Sequence, residues 1–378
     1  MSFNFTLCKV CTLLLFMDSM FPWYMWNNQL SNITLIITAL SYITLILIHP
    51  NHFILSKKKL GLIIILCLFF LWNIFLVGGI LGRGVLCLNM LFVILLKYKS
   101  QSELLEFITK WFARFLLVSL ICYILFLFGI NINPTYLTYN DGRYPCWNYY
   151  LFLIPTYFID MFRFSSIFME PGHLTMGLVP LIVAHRFDLK NKYVLILFIV
   201  EIATFSLAGY ITMFTAFLLF NWNKKHIKQI FYATIICLFV LFVLHITNND
   251  SFLDHFLWRR LEIADGNISG YNRTTESLDD LYNSILNSPD KWTGRQNLTL
   301  SDYGANAGFQ IYVVQYGLVG LFLSIFLYSY NYFISFKYEV GVMTLVSLLL
   351  LSQNAYPFWF CILTVHILGC TTNTVRKS

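Results

Sequence analysis

Long apolar runs separated by short polar stretches make up most of the chain. Three of the clearest, 60–80, 112–130 and 227–246, come close to the roughly 20 apolar residues that an α-helix needs to cross a bilayer. The same pattern along the whole chain predicts about twelve helical spans. These are 4–21, 30–49, 60–80, 84–96, 112–130, 172–185, 193–207, 209–221, 229–247, 306–331, 340–353 and 357–370. The pattern therefore predicts an all-α polytopic membrane protein in which residues 1–378 form a single integral membrane domain.

Composition and charge support this class and suggest an orientation. Of the 378 residues, 58% are hydrophobic and 11% are charged, and the mean hydropathy of +0.69 lies far outside the range of soluble globular proteins. Lysines fall in alternate connections between the predicted spans, as at 57–59, 97–110 and 190–192, and this bias is typical of the cytoplasmic side. On that assignment about 17 basic residues lie inside and about 8 outside. Both termini are then expected in the cytoplasm.

Two longer stretches interrupt the apolar series, and both fall on the outer side as outer loop 3 at 131–172 and outer loop 5 at 248–305. The outer basic residues are almost all arginine. They are Arg83, Arg143, Arg163, Arg259, Arg260, Arg273, Arg295 and a single lysine, Lys291. A guanidinium group is a planar fork that binds phosphate or carboxylate through two parallel hydrogen bonds. The two loops therefore indicate a site that handles an anion.

The end of loop 3 carries a second group of polar residues, Glu170-Pro171-Gly172-His173, where the next span begins. Pro171 suits the first turn of a helix, and the preceding carboxylate then lies at the positive helix end. Glu170 is either a simple helix cap or, with Arg163 and His173 close by in sequence, part of a site. Glu201 falls inside a predicted span, where a charged group is a functional candidate or a protonated, hydrogen-bonded structural one.

Loop 5 contains a short amphipathic helix within 274–288, because Leu278, Leu281 and Ile285 recur at helical spacing. Ser277 and Asp280 are predicted to form its N-terminal capping box. The helix is expected to lie on the bilayer or to pack as a lid. No cluster of His, Asp or Glu has the spacing of metal ligands, so neither a metal nor a cofactor is expected.

Three pieces of the sequence, 163–177, 204–209 and 310–320, resemble the bacterial O-antigen polymerases, the Wzy family. The layout is similar too, since that family has a comparable number of spans and large third and fifth periplasmic loops. The resemblance implies a metal-independent glycosyltransferase of the bacterial inner membrane. It would join undecaprenyl-diphosphate-linked oligosaccharide repeat units at the periplasmic face during lipopolysaccharide O-antigen synthesis. Implied partners are that lipid-linked oligosaccharide, membrane lipid and a chain-length regulator protein, and no nucleic acid.

The loop residues suit this chemistry. Cleavage of a sugar–diphosphate bond places negative charge on the departing diphosphate, which fixed guanidinium groups stabilise. The acceptor hydroxyl needs a base, and Glu170 or His173 would supply it. The candidates for binding the diphosphate and glycan are Arg163, Arg260, Arg273 and Arg295.

Two other functions fit the same sequence. An O-antigen ligase uses the same donor but transfers the glycan to the lipid A core. A lipid-linked oligosaccharide flippase or other transporter would instead place charges along a pathway through the spans, whereas here they concentrate in two loops. This concentration of charged residues in two loops favours the glycosyltransferases over a transporter.

Overall fold

The structure is a computed structural model that describes residues 3–26, 30–130, 133–139, 143–156, 163–221, 263–264, 267–268, 275–295, 308–352 and 359–375. Twelve α-helices account for most of these residues. They are α1 (Phe3–Asp18), α2 (Leu30–Ile48), α3 (Lys57–Val77), α4 (Ile80–Leu95), α5 (Tyr98–Leu127), α6 (Pro171–Ala184), α7 (Lys192–Thr204), α8 (Leu207–Phe220), α9 (Glu276–Leu286), α10 (Gly308–Ser335), α11 (Tyr338–Ser352) and α12 (Phe360–Val375). Among the described helices, α3, α5 and α10 are long and apolar enough to cross a membrane.

Eleven of the predicted spans coincide with helices, and the remaining one, 229–247, lies outside the described residues. The largest difference is at α5, which begins at Tyr98 rather than at 112. Its first turns bury Leu104, Leu105 and Ile108 on one side, while Glu106 on the other side remains exposed. This amphipathic start carries lysines, and the apolar-run criterion therefore missed it.

The helix α12 forms the centre of the bundle. It packs against α1, α4, α5, α6, α10 and α11. Between Trp359 and Leu368 every apolar side chain is buried, and these side chains lie on all sides of the helix. A helix that is apolar all round is stable only when surrounded by other helices.

One end of the bundle, here named the lysine end, joins the turns 49–56, 96–97 and 336–337. The backbone amide of Lys97 donates to the His52 carbonyl at 2.7 Å. The Tyr330 hydroxyl, near the end of α10, donates to the Lys58 carbonyl at 3.3 Å. The helices α3 and α5 start at this end, and their chain direction therefore carries Val77 and Leu127 to the other end.

The opposite end, here named the arginine end, joins residues 19–26, 163–170, 203–206 and 359–361. The amide of Cys361 donates to the Ser19 hydroxyl at 3.0 Å, and the amide of Trp23 donates to the Ile167 carbonyl at 2.9 Å. Contacts of the described turns thus separate into two sets, as expected of a bundle whose helices alternate in direction.

A small antiparallel sheet covers part of the arginine end, which the sequence analysis did not predict. Its strands lie in the order β1 (Thr135–Tyr139), β2 (Arg143–Asn148) and β3 (Leu153–Pro155). Trp147 of the central strand β2 pairs with a residue of each outer strand. Cys146 packs with Trp26 and Leu153 beneath the sheet. Burial raises the pKa of its thiol to about 12. Two further short strands, β4 (Ile263–Ala264) and β5 (Asn267–Ile268), form a separate pair.

The amphipathic helix of loop 5 is present as α9, but its predicted capping box is wrong. Thr275 is the N-cap, with an extended backbone, and its hydroxyl accepts from the Leu278 amide at 3.3 Å. Ser277 instead lies in the first turn, where its hydroxyl contacts that of Thr275 at 3.0 Å. The apolar face of α9 packs on Ile311 and Val314 of α10. The helix is therefore attached to the bundle.

The helix α10 is interrupted at Gly317, whose φ of 67° and ψ of −178° are not helical. Residues 288–295 dock on this interruption. The Arg295 amide donates to the Val314 carbonyl at 2.7 Å, and the Trp292 carbonyl accepts from the Val319 amide at 3.3 Å. From the other side, Trp72 Nε1 donates to the Tyr316 carbonyl at 3.0 Å. Backbone groups released by the break are thus hydrogen-bonded to protein, as an apolar environment requires.

Replacing Gly317 by alanine should lower the stability of the purified protein by at least about 2 kcal/mol. A Cβ at this position would lie 2.2 Å from the Trp292 carbonyl oxygen, and the alanine would have to keep the positive φ of the glycine. The measurement is the midpoint of thermal unfolding in detergent. Gly84→Ala is the matched control, because a Cβ at Gly84 meets nothing within 4 Å. Equal midpoints for the two variants would contradict the docked interruption.

Candidate functional site

Residues 163–170, here named the crossing segment, run across the arginine end and hold several elements together. The Phe164 amide donates to the Ala203 carbonyl at 3.0 Å, and the Leu153 amide donates to the Ser166 carbonyl at 2.9 Å. The Met169 amide donates to the Phe21 carbonyl at 3.1 Å. Its residues from 164 to 168 are buried throughout. The segment thus fixes α1, β3, α6 and α7 relative to one another.

Arg163 begins the crossing segment at the turn between α7 and α8. The half-buried side chain donates from Nε to the Thr204 carbonyl at 3.3 Å. The turn itself is sharp, since Phe205 has a φ of 48° and Ser206 caps α8 by accepting from the Gly209 amide at 3.4 Å. The resembling piece 204–209 therefore forms a defined turn that fixes the position of one predicted arginine.

Glu201 lies just below this turn and is completely buried. The Thr175 hydroxyl of α6 donates to both of its carboxyl oxygens, at 3.1 and 3.2 Å. Gly209 of α8 leaves room for the carboxyl group, because a Cβ there would lie 1.9 Å from Oε1. The carboxyl group thus links α6, α7 and α8 directly beneath the predicted site.

Glu170 and His173 begin α6, as the sequence predicted. Glu170 occupies the N-cap position with Pro171 in the first turn, yet its side chain forms no capping hydrogen bond. The His173 amide donates instead to the Glu170 backbone carbonyl at 3.0 Å. The carboxylate is half-buried. The Glu170 side chain therefore does not cap α6.

The imidazole of His173 lies within an aromatic cluster. Its ring centroid is 5.1 Å from that of Trp359 and 5.7 Å from that of Phe21, and the latter two are 5.6 Å apart. Phe21 adopts a positive φ of 56° and Trp359 is buried beside the start of α12. Ring packing against these two neighbours restrains the orientation of the imidazole. Sequence analysis named His173 but missed both neighbours, because they are distant along the chain.

The four predicted arginines are only partly accounted for. Arg260 and Arg273 lie outside the described residues. Arg295 is exposed and pairs with Asp290, whose Oδ2 accepts from its Nε at 2.8 Å. Its loop belongs to the arginine end, because α10 runs from there to the lysine end. A joint diphosphate site with Arg163 stays a prediction.

Arg83 is a further arginine at this end that the site prediction omitted. Its guanidinium donates to the Gly78 carbonyl, and NH2 donates to the Tyr316 hydroxyl at 3.3 Å. Tyr316 adjoins the interruption of α10, and its ring lies 4.7 Å from that of Tyr312. The sequence signals were its place among the outer arginines and the Gly78-Gly79 pair, which permits the tight turn from α3 to α4.

The crossing segment and the first turn of α6 thus carry a guanidinium group, a carboxylate and an imidazole at the arginine end. Within the described ranges, no group of three or more His, Cys, Asp and Glu side chains is placed to hold a metal ion. Comparison of the chain with protein-family models, with curated proteins and with solved structures finds no match. Its class is therefore drawn from the structure alone: a mostly helical protein with helices suited to a membrane.

Thr175→Val should destabilise the protein by about 1–3 kcal/mol, because it removes the hydroxyl that donates to the buried Glu201 carboxyl while keeping the shape. Thermal unfolding in detergent measures the effect. Thr212→Val is the control, since among the described residues the Thr212 hydroxyl donates only to the Ala208 carbonyl of its own helix. Glu201→Leu in the Thr175→Val background should recover part of the loss. A stability equal to that of Thr212→Val would argue against a structural bond at Glu201.

Proposed function

We propose that this protein is an O-antigen polymerase, a metal-independent glycosyltransferase that joins undecaprenyl-diphosphate-linked repeat units at the periplasmic face of the inner membrane. The observation that carries the proposal is the crossing segment. It begins with Arg163 and leads directly to Glu170 and His173 at one end of an apolar helical bundle. Support also comes from the resemblance of 163–177 and 204–209, since these two pieces contact each other through Arg163 and Thr204.

The proposed mechanism uses the charges of this end. The Arg163 guanidinium stabilises the negative charge that develops on the departing diphosphate, and arginines of loop 5 complete its binding. Glu170 or His173 accepts the proton of the acceptor hydroxyl as the new glycosidic bond forms. Fixed backbone contacts of the crossing segment hold these groups in place before the substrates arrive, which lowers the cost of reorganisation.

The proposed topology has about twelve spans, with both termini in the cytoplasm and the arginine end in the periplasm. Three observations support it. The described turns divide between two ends, lysines such as Lys58, Lys97 and Lys190 lie at one of them, and Arg83, Arg163 and Arg295 lie at the other. Loops 3 and 5 would then both face the periplasm.

Deletion of the coding sequence should yield lipopolysaccharide with a single repeat unit on the core, and Arg163→Ala should reproduce this ladder. Loss of the guanidinium group should reduce polymerisation roughly 10²–10³-fold. Arg163→Lys should recover only part of the activity, because an ammonium group lacks the planar fork. The measurement is the length distribution of lipopolysaccharide on a gel, at matched protein levels.

The matched control is Arg114→Ala, an exposed arginine of α5 whose guanidinium lies over Trp111 and Tyr193. It should leave the ladder unchanged. Loss of every repeat unit on deletion would contradict the polymerase. With lipid-linked units accumulating on the periplasmic face it would indicate the ligase, and with those units retained inside it would indicate the flippase. Unchanged ladders for both Glu170→Gln and His173→Ala would exclude them as the base.

Cysteines placed at the two ends should differ in accessibility from the periplasm. Asn287→Cys follows α9 and Lys190→Cys lies in the turn before α7, and both positions are exposed. A membrane-impermeant maleimide should label the first in cells with a permeabilised outer membrane, and the second only after the inner membrane is broken. The unmodified chain corrects for its own cysteines. Labelling of Lys190→Cys in unbroken cells would refute the proposed orientation.

A further inference from the structure

The lysine end contains a cavity of about 360 Å³ that the proposed glycan chemistry does not use. Its walls come from α3, the junction of α4 and α5, the last turns of α10, and α12. Three lysines, Lys58, Lys59 and Lys337, line it. This volume lies in the range of pockets that bind small ligands. Three cations around one cavity favour an anionic occupant.

Lys59 provides the strongest indication of an anion. Its side chain is only 7% exposed. The ammonium group donates to the Leu96 carbonyl and lies 5.1 Å above the ring of Tyr98. Neither Lys59 nor Lys58 forms an ion pair with a carboxylate in the described part of the chain. A buried cation without a counter-charge is costly, and an anion in the cavity would remove that cost.

Gln101 forms part of the cavity wall and is 1% exposed. Its Nε2 donates to the carbonyls of Val93 and Ile94, at 2.8 and 3.3 Å. These bonds hold the start of α5 against the end of α4. The junction that carries the Leu96 carbonyl, the acceptor of the Lys59 ammonium group, is therefore fixed.

The rest of the cavity wall is apolar and includes Leu62, Ile334 and Ile367. A freely dissolved phosphate would gain nothing from this surface, whereas the glycerol backbone and first methylenes of a lipid would bury against it. Basic pockets between membrane helices on the cytoplasmic side are suited to phospholipid headgroups. The combination of cations and an apolar wall matches the phosphate and glycerol backbone of an anionic phospholipid.

We propose that this cavity is a binding site for a phosphate-bearing anion, with the anionic phospholipid phosphatidylglycerol as the occupant that fits it best. Lys58, Lys59 and Lys337 hold the phosphate, and the apolar wall packs against the glycerol backbone and the first methylenes. The site lies at the opposite end of the bundle from Arg163 and Glu170. It therefore stands independently of the polymerase proposal.

The test titrates the purified full-length protein in detergent with phosphatidylglycerol and counts bound lipids by native mass spectrometry. Wild-type protein should bind one phosphatidylglycerol in preference to the zwitterionic phosphatidylcholine, which carries no net negative charge. Lys58→Gln combined with Lys337→Gln should weaken this binding at least about tenfold. Lys59 is retained in the variant because its bond to the Leu96 carbonyl supports the fold.

The charge-matched control combines Lys99→Gln with Lys190→Gln, two exposed lysines that do not line the cavity. It should bind phosphatidylglycerol as the wild type does, and unfolding curves check that all three proteins are folded. Equal binding by both double variants overturns the site. A parallel titration with inorganic phosphate distinguishes a lipid from a free phosphate as the occupant. If phosphate at submillimolar concentration displaces the lipid, and the protein shows no preference among lipids, the cavity is an anion site for free phosphate rather than for phosphatidylglycerol.

Discussion

The crossing segment carries the constraint on which the arginine end depends, namely that a buried peptide group must find a partner within the protein. Residues 164–168 have no access to solvent, so their amides and carbonyls bond to the end of α1, to β3 and to the end of α7. Those bonds also fix the backbone of Arg163 at one end of the segment and of Glu170 at the other. A loop in solvent would leave the same residues free to move, whereas here the backbone defines their separation.

The same constraint acts on α10 in a different form. An unbroken helix satisfies its own backbone, but the interruption at Gly317 opens carbonyls and amides within an apolar helix. Residues 288–295 and Trp72 bond to them, and α9 packs beside them. The described C-terminal part of loop 5 therefore packs as part of the bundle. Any substrate-binding residue on that part has a defined position.

Sequence reasoning was most successful where the cause was local. Apolar runs located the helices, and Pro171 correctly marked the start of α6. It failed where distant residues decide the outcome. The sheet depends on pairing between Trp147 and its neighbours, and the aromatic surroundings of His173 come from Phe21 and Trp359, more than one hundred residues away on either side. The partner of Glu201 was equally invisible, because α6 and α7 meet only in three dimensions.

The central position of α12 has a consequence for how the protein is made. Ribosomes deliver the chain from its N-terminus, so this helix enters the membrane after all the other described helices. Until then α1, α4, α5 and α6 lack the surface on which they converge. The interior around α12 can therefore close only after α12 has been synthesised. Until then, the faces of the earlier helices that pack on α12 have no partner there.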